Sequence, residues 1–158
     1  YRKILFFRWL LDGIGVIWVN REGSDFAAFR EAADYLKKGW VVGIAPEGTR
    51  SRTGQLKQGK PGTALLAKKT GVPIIPVAVT GSEEMSSRLL RLRKMDVCVR
   101  FGKPFQLDLS HAESDGKAWL EAATEEIMCH IAALLPEERR GFYADHPRVA
   151  QLLSENQL

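Results

Sequence analysis

The sequence predicts an α/β protein with a largely parallel central sheet flanked by helices. Three observations carry that expectation: short apolar runs of strand length, amphipathic segments of helical period alternating with them, and Gly or Pro at the junctions. The chain has 158 residues, of which 45% are hydrophobic and 27% charged, so it can bury one compact core and does not have the composition of a disordered segment.

Leu5, Phe6, Trp9 and Leu10 recur at helical spacing, Gly13 and Gly15 break the pattern, and residues 16–19 read as a short buried strand. Ser24 is a good N-cap for a helix that places Phe26, Phe29, Ala33 and Leu36 on one face, and Gly39 after Lys37 and Lys38 is a natural stop. Residues 40–45 form a continuous apolar run, as expected of a strand covered on both faces. The chain then turns polar and rich in Gly, Arg and Lys until Pro61 opens a helix containing Ala64, Leu65, Leu66 and Ala67, which Gly71 ends.

Residues 74–79 predict another buried strand, and Val97, Val99 and Phe101 alternate like a half-exposed one. Trp119, Ala123, Ile127, Ile131 and Leu134 mark a long amphipathic helix. Strands alternating with helices imply right-handed βαβ units and hence parallel pairing. Residues 1–135 are expected to form the folded domain, and residues 136–158 a peripheral charged tail.

A net charge of +4 suits an acidic partner without choosing among phosphate groups, anionic lipid and nucleic acid. Cys98 and Cys129 have neither zinc-ligand spacing nor the pattern of a disulfide framework, so no metal site is expected and a reducing, cytosol-facing compartment fits. Residues 4–19 are the most apolar stretch, but Arg8, Asp12, Gly13 and Gly15 interrupt it and it is too short to cross a bilayer as one helix. The sequence starts at Tyr1 and runs directly into Ile4, Leu5, Phe6 and Phe7, and we expect an amino-terminal portion upstream of it.

The segment Pro46-Glu47-Gly48-Thr49-Arg50-Ser51 follows the run 40–45, at the carboxyl end of an expected strand, where open α/β sheets place their ligands. Its chemistry is that of an anion cradle. Arg50 presents a planar fork of donors, Thr49 and Ser51 add hydroxyls, and Gly48 allows backbone N–H groups to approach closely. Glu47 can hold Arg50 in register or accept a substrate hydroxyl, and the helix after Pro61 aims its positive end at the same place with Lys60 at its entrance. From these residues alone, a phosphate or carboxylate site and a purely structural Glu–Arg turn both stand.

Residues 42–51, which contain this segment, resemble the Pro-Glu-Gly-Thr-Arg block of the PlsC-like phospholipid/glycerol acyltransferases. Further segments follow in the family's order. Residues 15–21 resemble its upstream strand ending in Asp-Arg, Lys60-Pro61-Gly62-Thr63-Ala64 its Lys-x-Gly-Ala helix start, residues 72–78 its Val-Pro-Ile-x-Pro-Val strand, and Phe101-Gly102-Lys103-Pro104 its Gly-x-Pro turn. The resemblance implies a glycerolipid acyltransferase-like fold in which Arg21, Arg50 and Lys60 hold the acceptor's phosphate while Glu47 and Thr49 line the glycerol end, with Gly48 also among the substrate-binding residues. Asn20 stands where the family usually has Asp, and Ala45 where it usually has Phe.

The family's catalytic His-x-x-x-x-Asp motif belongs upstream of Leu5, so no catalytic residue is assigned within this chain. Such a base contributes about 10²–10⁴-fold. His111 and Asp115 are one residue too close to match the motif and stand on the wrong side of the Pro46 block; a polar loop is the reading for them. His130 and His146 are read as structural or exposed.

The implied activity is transfer of a fatty acyl group from acyl-CoA or acyl carrier protein to the hydroxyl of 1-acyl-glycerol-3-phosphate, a lysophosphatidic acid, at the cytoplasmic face of the cell membrane, by a peripheral or monotopic protein. No cofactor is needed because the thioester is already activated. Glycerol-3-phosphate or another lyso-lipid as acceptor, and a non-catalytic anionic-lipid-binding domain, are the competing expectations.

Other segments admit different readings. Residues 54–61 nearly spell a P-loop, but Pro61 stands where a Ser or Thr must bind magnesium. Arg88, Leu89, Leu90, Arg91, Leu92, Arg93 and Lys94 suit anionic headgroups or a solvated loop, and Phe6, Phe7, Trp9 and Trp18 a membrane interface or the core. No nucleic-acid reader motif is present.

Overall fold

The computed structural model describes residues 16–17, 26–49, 51, 53–81, 96–110, 112 and 116–155. The chain divides into two compact units, Tyr1–Gly43 and Ile44–Leu158.

In the first unit, helix α1 spans Phe26–Lys37 and buries Ala28, Ala32 and Ala33. The buried stripe is therefore narrower and rotated from the expected one, and Phe26 is 77% exposed. Gly39 takes a left-handed φ of 82° just past the helix, as the sequence requires for its stop. Trp40 then folds back: its N–H donates to the Tyr35 carbonyl at 3.1 Å and its ring meets that of Tyr35 edge-on. Residues 40–45 form no strand, and Val41 is 89% exposed, which corrects the expectation of a strand covered on both faces. Residues 16 and 17 are likewise outside any strand, while the helix expected around Leu5, the Ser24 cap and residues 18–19 lie outside the described residues.

In the second unit, helix α2 spans Gly62–Thr70, with Pro61 at its N-cap position and Gly71 left-handed after it, donating its N–H to the Ala67 carbonyl. Proline's fixed φ suits the start and glycine's freedom the stop, so both ends are written locally. Strands β1 (Val77–Thr80) and β2 (Cys98–Phe101) pair antiparallel, with Val77 opposite Phe101 and Val79 opposite Val99; a bridge between Ile74 and Phe105 extends the ladder. Helix α3, Gly116–Leu134, is followed by two short 3-10 turns, Glu137–Arg139 and Gly141–Tyr143, and by helix α4, Pro147–Glu155.

Helix α3 organises the core. Ala123 and Ile127 pack with Ala64 of α2, against Ile74, Phe105, Leu107 and Trp119. Met128, Cys129 and Ala132 pack with Leu56, Tyr143, Val149 and Leu152. Two expectations are thereby corrected. Among the described residues the strands form a two-stranded antiparallel sheet, not a largely parallel one, within a fold that does mix helix and strand. The segment after Pro136 is not peripheral, since Tyr143, Val149 and Leu152 are buried to 3% exposure or less. A sparse set of apolar residues in this segment closes the core.

Candidate functional site

The segment beginning at Pro46 folds as a tight turn. The Gly48 N–H donates to the Ala45 carbonyl at 3.0 Å, and Gly48 has a φ of +68°, a conformation that only glycine adopts without strain. That amide is therefore spent inside the turn. The value of Gly48 to the site is space: a Cβ there would lie 2.9 Å from Cδ and 3.3 Å from Nζ of Lys60, so the bare backbone lets the lysine side chain lie across it.

The loop between the turn and α2 is tied at both ends. One Glu47 carboxylate oxygen accepts the Lys57 N–H at 2.9 Å, and the Lys60 N–H donates to the Pro46 carbonyl at 2.8 Å. Lys60 thus belongs to the Pro46 turn through its backbone and its side chain at once, at the entrance of α2. No side chain caps that helix's N-terminus, so its positive end is presented unopposed by a capping carboxylate. Within the loop the Ser51 and Thr53 hydroxyls are 3.2 Å apart.

The outer side of the loop is held by residues of the carboxyl-terminal segment. The Leu56 N–H donates to the Arg139 carbonyl at 2.9 Å, the Phe142 N–H to the Leu56 carbonyl at 3.0 Å, and the Gly59 N–H to the Tyr143 hydroxyl at 3.0 Å. Arg139 Nη1 also reaches the Gly54 carbonyl. Gly59 presses against α3 so closely that a Cβ would meet Met128 Cγ at 2.5 Å. Burial pushes the Tyr143 phenol above its ordinary value, the Gly59 bond opposes that, and nearby Cys129, Glu125 and Glu47 add to it, so the ring stays neutral.

Glu47, Gly48, Thr49 and Lys60 are thus gathered in one turn and one helix entrance, with Thr49 exposed directly after Gly48. Arg21 and Arg50 lie outside the described residues, as do His111, Asp115, residues 88–94 and the aromatics Phe6, Phe7, Trp9 and Trp18. Glu47 does hold the loop in register, through the Lys57 amide. Tyr143, Gly59 and Leu56 were not singled out from sequence; the signal was the apolar pair Phe142-Tyr143 behind Gly141 in an otherwise charged stretch.

The remaining titratable groups support packing. Arg148 grips Glu126 through Nε and Nη2, at 2.8–3.1 Å, and His130 Nε2 meets the same carboxylate at 3.1 Å. Burial alone would raise the Glu126 carboxyl, but Arg148 and His130 together hold it below its ordinary value. His130, stacked on Phe105 with ring centroids 3.8 Å apart, is pushed down by burial in spite of Glu126. Cys129 is fully buried and its thiol is pushed up to about 12 by burial and the neighbouring glutamates, which makes it unreactive. Among the described residues no group of His, Cys, Asp and Glu is arranged to hold a metal ion, and no helix is long and apolar enough to cross a membrane.

A glycine turn, a lysine lying across it and an uncapped helix entrance are brought together on a scaffold that mixes helix and strand. Residues 1–80 match the family model described as Acyltransferase, and the chain belongs to that family, among its PlsC-like members. It is 40% identical over 79 residues to the 1-acyl-sn-glycerol-3-phosphate acyltransferase of Borreliella burgdorferi, covering 49% of this chain and 32% of that protein. It is 32% identical over 117 residues to the enzyme of the same name from Bacillus subtilis, covering 73% of this chain and 55% of the relative.

Among solved structures, the 1-acyl-sn-glycerophosphate (LPA) acyltransferase PlsC of Thermotoga maritima matches 80% of this chain and 53% of its own, with a TM-score of 0.53 and 26% identity. The chain therefore spans about a third to a half of the length of these relatives.

Proposed function

We propose that the whole protein transfers a fatty acyl group from acyl-CoA or acyl carrier protein to the free hydroxyl of 1-acyl-glycerol-3-phosphate, giving phosphatidic acid. The observation that carries this reading is the Lys60 side chain laid over Gly48 while its amide bonds Pro46, which puts a cation at the Pro46 turn. The names of the relatives supply the acceptor.

In this reading Lys60, Arg50 and Arg21 hold the acceptor phosphate, and Thr49 and Gly48 flank the glycerol. Glu47 acts by closing the loop on Lys57. Holding the acceptor in place is this region's share of catalysis, since fixing two reactants removes much of the entropic barrier. The chemical step needs a base, and we assign it to a His-x-x-x-x-Asp motif upstream of Leu5. The imidazole takes the hydroxyl proton, the oxygen attacks the thioester carbonyl, and the collapsing intermediate releases the thiol, which recovers a proton. No cofactor enters the scheme, and the reaction takes place at the cytoplasmic face of the membrane, where the lipid acceptor resides.

The test is acyl transfer to lysophosphatidic acid by the whole protein beside the 158-residue chain, with acyl-CoA and acyl carrier protein as donors. The expected result is activity in the whole protein alone. Turnover by the 158-residue chain would overturn the upstream base. Silence of both with either donor would overturn the acceptor assignment.

A further inference from the structure

The amides of Gly59 and Lys60 are consecutive and bond in different directions. Gly59 N–H donates into the core, to the Tyr143 hydroxyl at 3.0 Å, and Lys60 N–H donates to the Pro46 carbonyl of the turn at 2.8 Å. These two bonds stitch the turn to the core at the one point where the lysine leaves the backbone. The core side of the stitch is well anchored: Tyr143 is 1% exposed and packs with Met128, Cys129 and Val149. Gly59 has no room to shift toward α3, because even a Cβ would stand 2.5 Å from Met128 Cγ. The neighbouring bonds of Leu56 to Arg139 and Phe142 keep the 3-10 turn that carries Tyr143 in register with the loop.

We propose that Tyr143 is a positioning residue for acceptor binding: its phenol oxygen, by accepting the Gly59 N–H, fixes the backbone from which Lys60 reaches over Gly48. The proposal rests on the reading of Lys60 as an acceptor-phosphate ligand. It gives the segment after Pro136 a part in substrate recognition, exercised through the loop without touching the substrate.

Steady-state kinetics of the whole protein with lysophosphatidic acid and acyl-CoA test it. Tyr143→Phe keeps the ring and removes only the acceptor oxygen. It is expected to raise the acceptor KM about tenfold, the size of effect one backbone hydrogen bond can carry, with kcat and the acyl-CoA KM within about twofold. Val149→Ala removes packing from the same cluster and leaves the hydroxyl in place. It is expected to lower the thermal midpoint at least as much as Tyr143→Phe while leaving the acceptor KM unchanged.

An unchanged acceptor KM in Tyr143→Phe, an equal rise for both substrates, or the same split in Val149→Ala would overturn the proposal. Lys60→Ala, run in parallel, separates the two levels. A raised acceptor KM there with none in Tyr143→Phe overturns the positioning role alone, whereas no effect in Lys60→Ala overturns the site reading and the proposal with it. Amide hydrogen exchange supplies a readout independent of turnover: the Gly59 and Lys60 amides should exchange at least tenfold faster in Tyr143→Phe, and unchanged rates would count against the stitch.

Discussion

Replacing Glu47 by Gln and by Ala separates two roles that one carboxylate can fill. In the structure a Glu47 oxygen accepts the Lys57 N–H at 2.9 Å, closing residues 48–56 into a loop. A glutamine amide oxygen can accept the same bond; alanine cannot. The bond is solvent-accessible, so water replaces part of what is lost, and the cost of Glu47→Ala is about 1 kcal/mol. That loss lowers the thermal midpoint by about 2–4 °C in a domain of this size.

Arg50 lies in sequence between Glu47 and Lys57, so acceptor kcat/KM should fall roughly tenfold in Glu47→Ala and by less than about twofold in Glu47→Gln. Acyl transfer with varied lysophosphatidic acid, beside thermal melts of both variants, reads the two quantities. If Glu47→Gln melts like the native protein yet loses as much activity as Glu47→Ala, the negative charge acts on the substrate and the loop-closing account is refuted.

Gly59→Ala should destabilise by about 1–3 kcal/mol, because its Cβ meets Met128 and Thr124 at 2.5–3.0 Å; urea unfolding should show a lower midpoint at unchanged slope. Arg50→Ala is expected to weaken use of the phosphate-bearing acceptor far more than use of the acyl donor, and equal loss for both would count against its assigned role.

Acid should destabilise the fold in two stages. His130 has a lowered pKa, so the unfolded chain takes up its proton first and stability begins to fall as pH drops through the ordinary 6.5. Glu126 is also lowered, so its contribution is present above its ordinary 4.5 and lost as pH falls through the folded value. Thermal midpoints from pH 7 to 3 follow both stages, and Glu126→Gln should flatten the more acidic one.

Much of the site was legible from sequence because its logic is local. Pro61 and Gly71 bound α2 as expected, and Pro46-Glu47-Gly48-Thr49 forms the turn expected of it. Strand positions near Val77 and Val99 were also recognised, but residues 74–79 were read as buried whereas Ile75, Val77 and Val79 are exposed. Two details of the site were misjudged. The Gly48 amide is used within its own turn, and the glycine leaves room for Lys60, which the sequence placed at the helix entrance but not against Gly48 itself.

By itself the sequence determined α1, α2 and α3, the stops at Gly39 and Gly71, the turn at Pro46 and the family to which the chain belongs, but not α4. Each of these depends on residues within a turn or two of one another, or on a motif read in one stretch. The tertiary structure alone decided that β1 and β2 pair antiparallel, that residues 40–45 stay out of a sheet, and that Tyr143 reaches the Gly59 amide. Strand pairing and long-range hydrogen bonds join residues 18 to 84 positions apart, and an apolar or aromatic residue records in sequence that it will be buried but not against what.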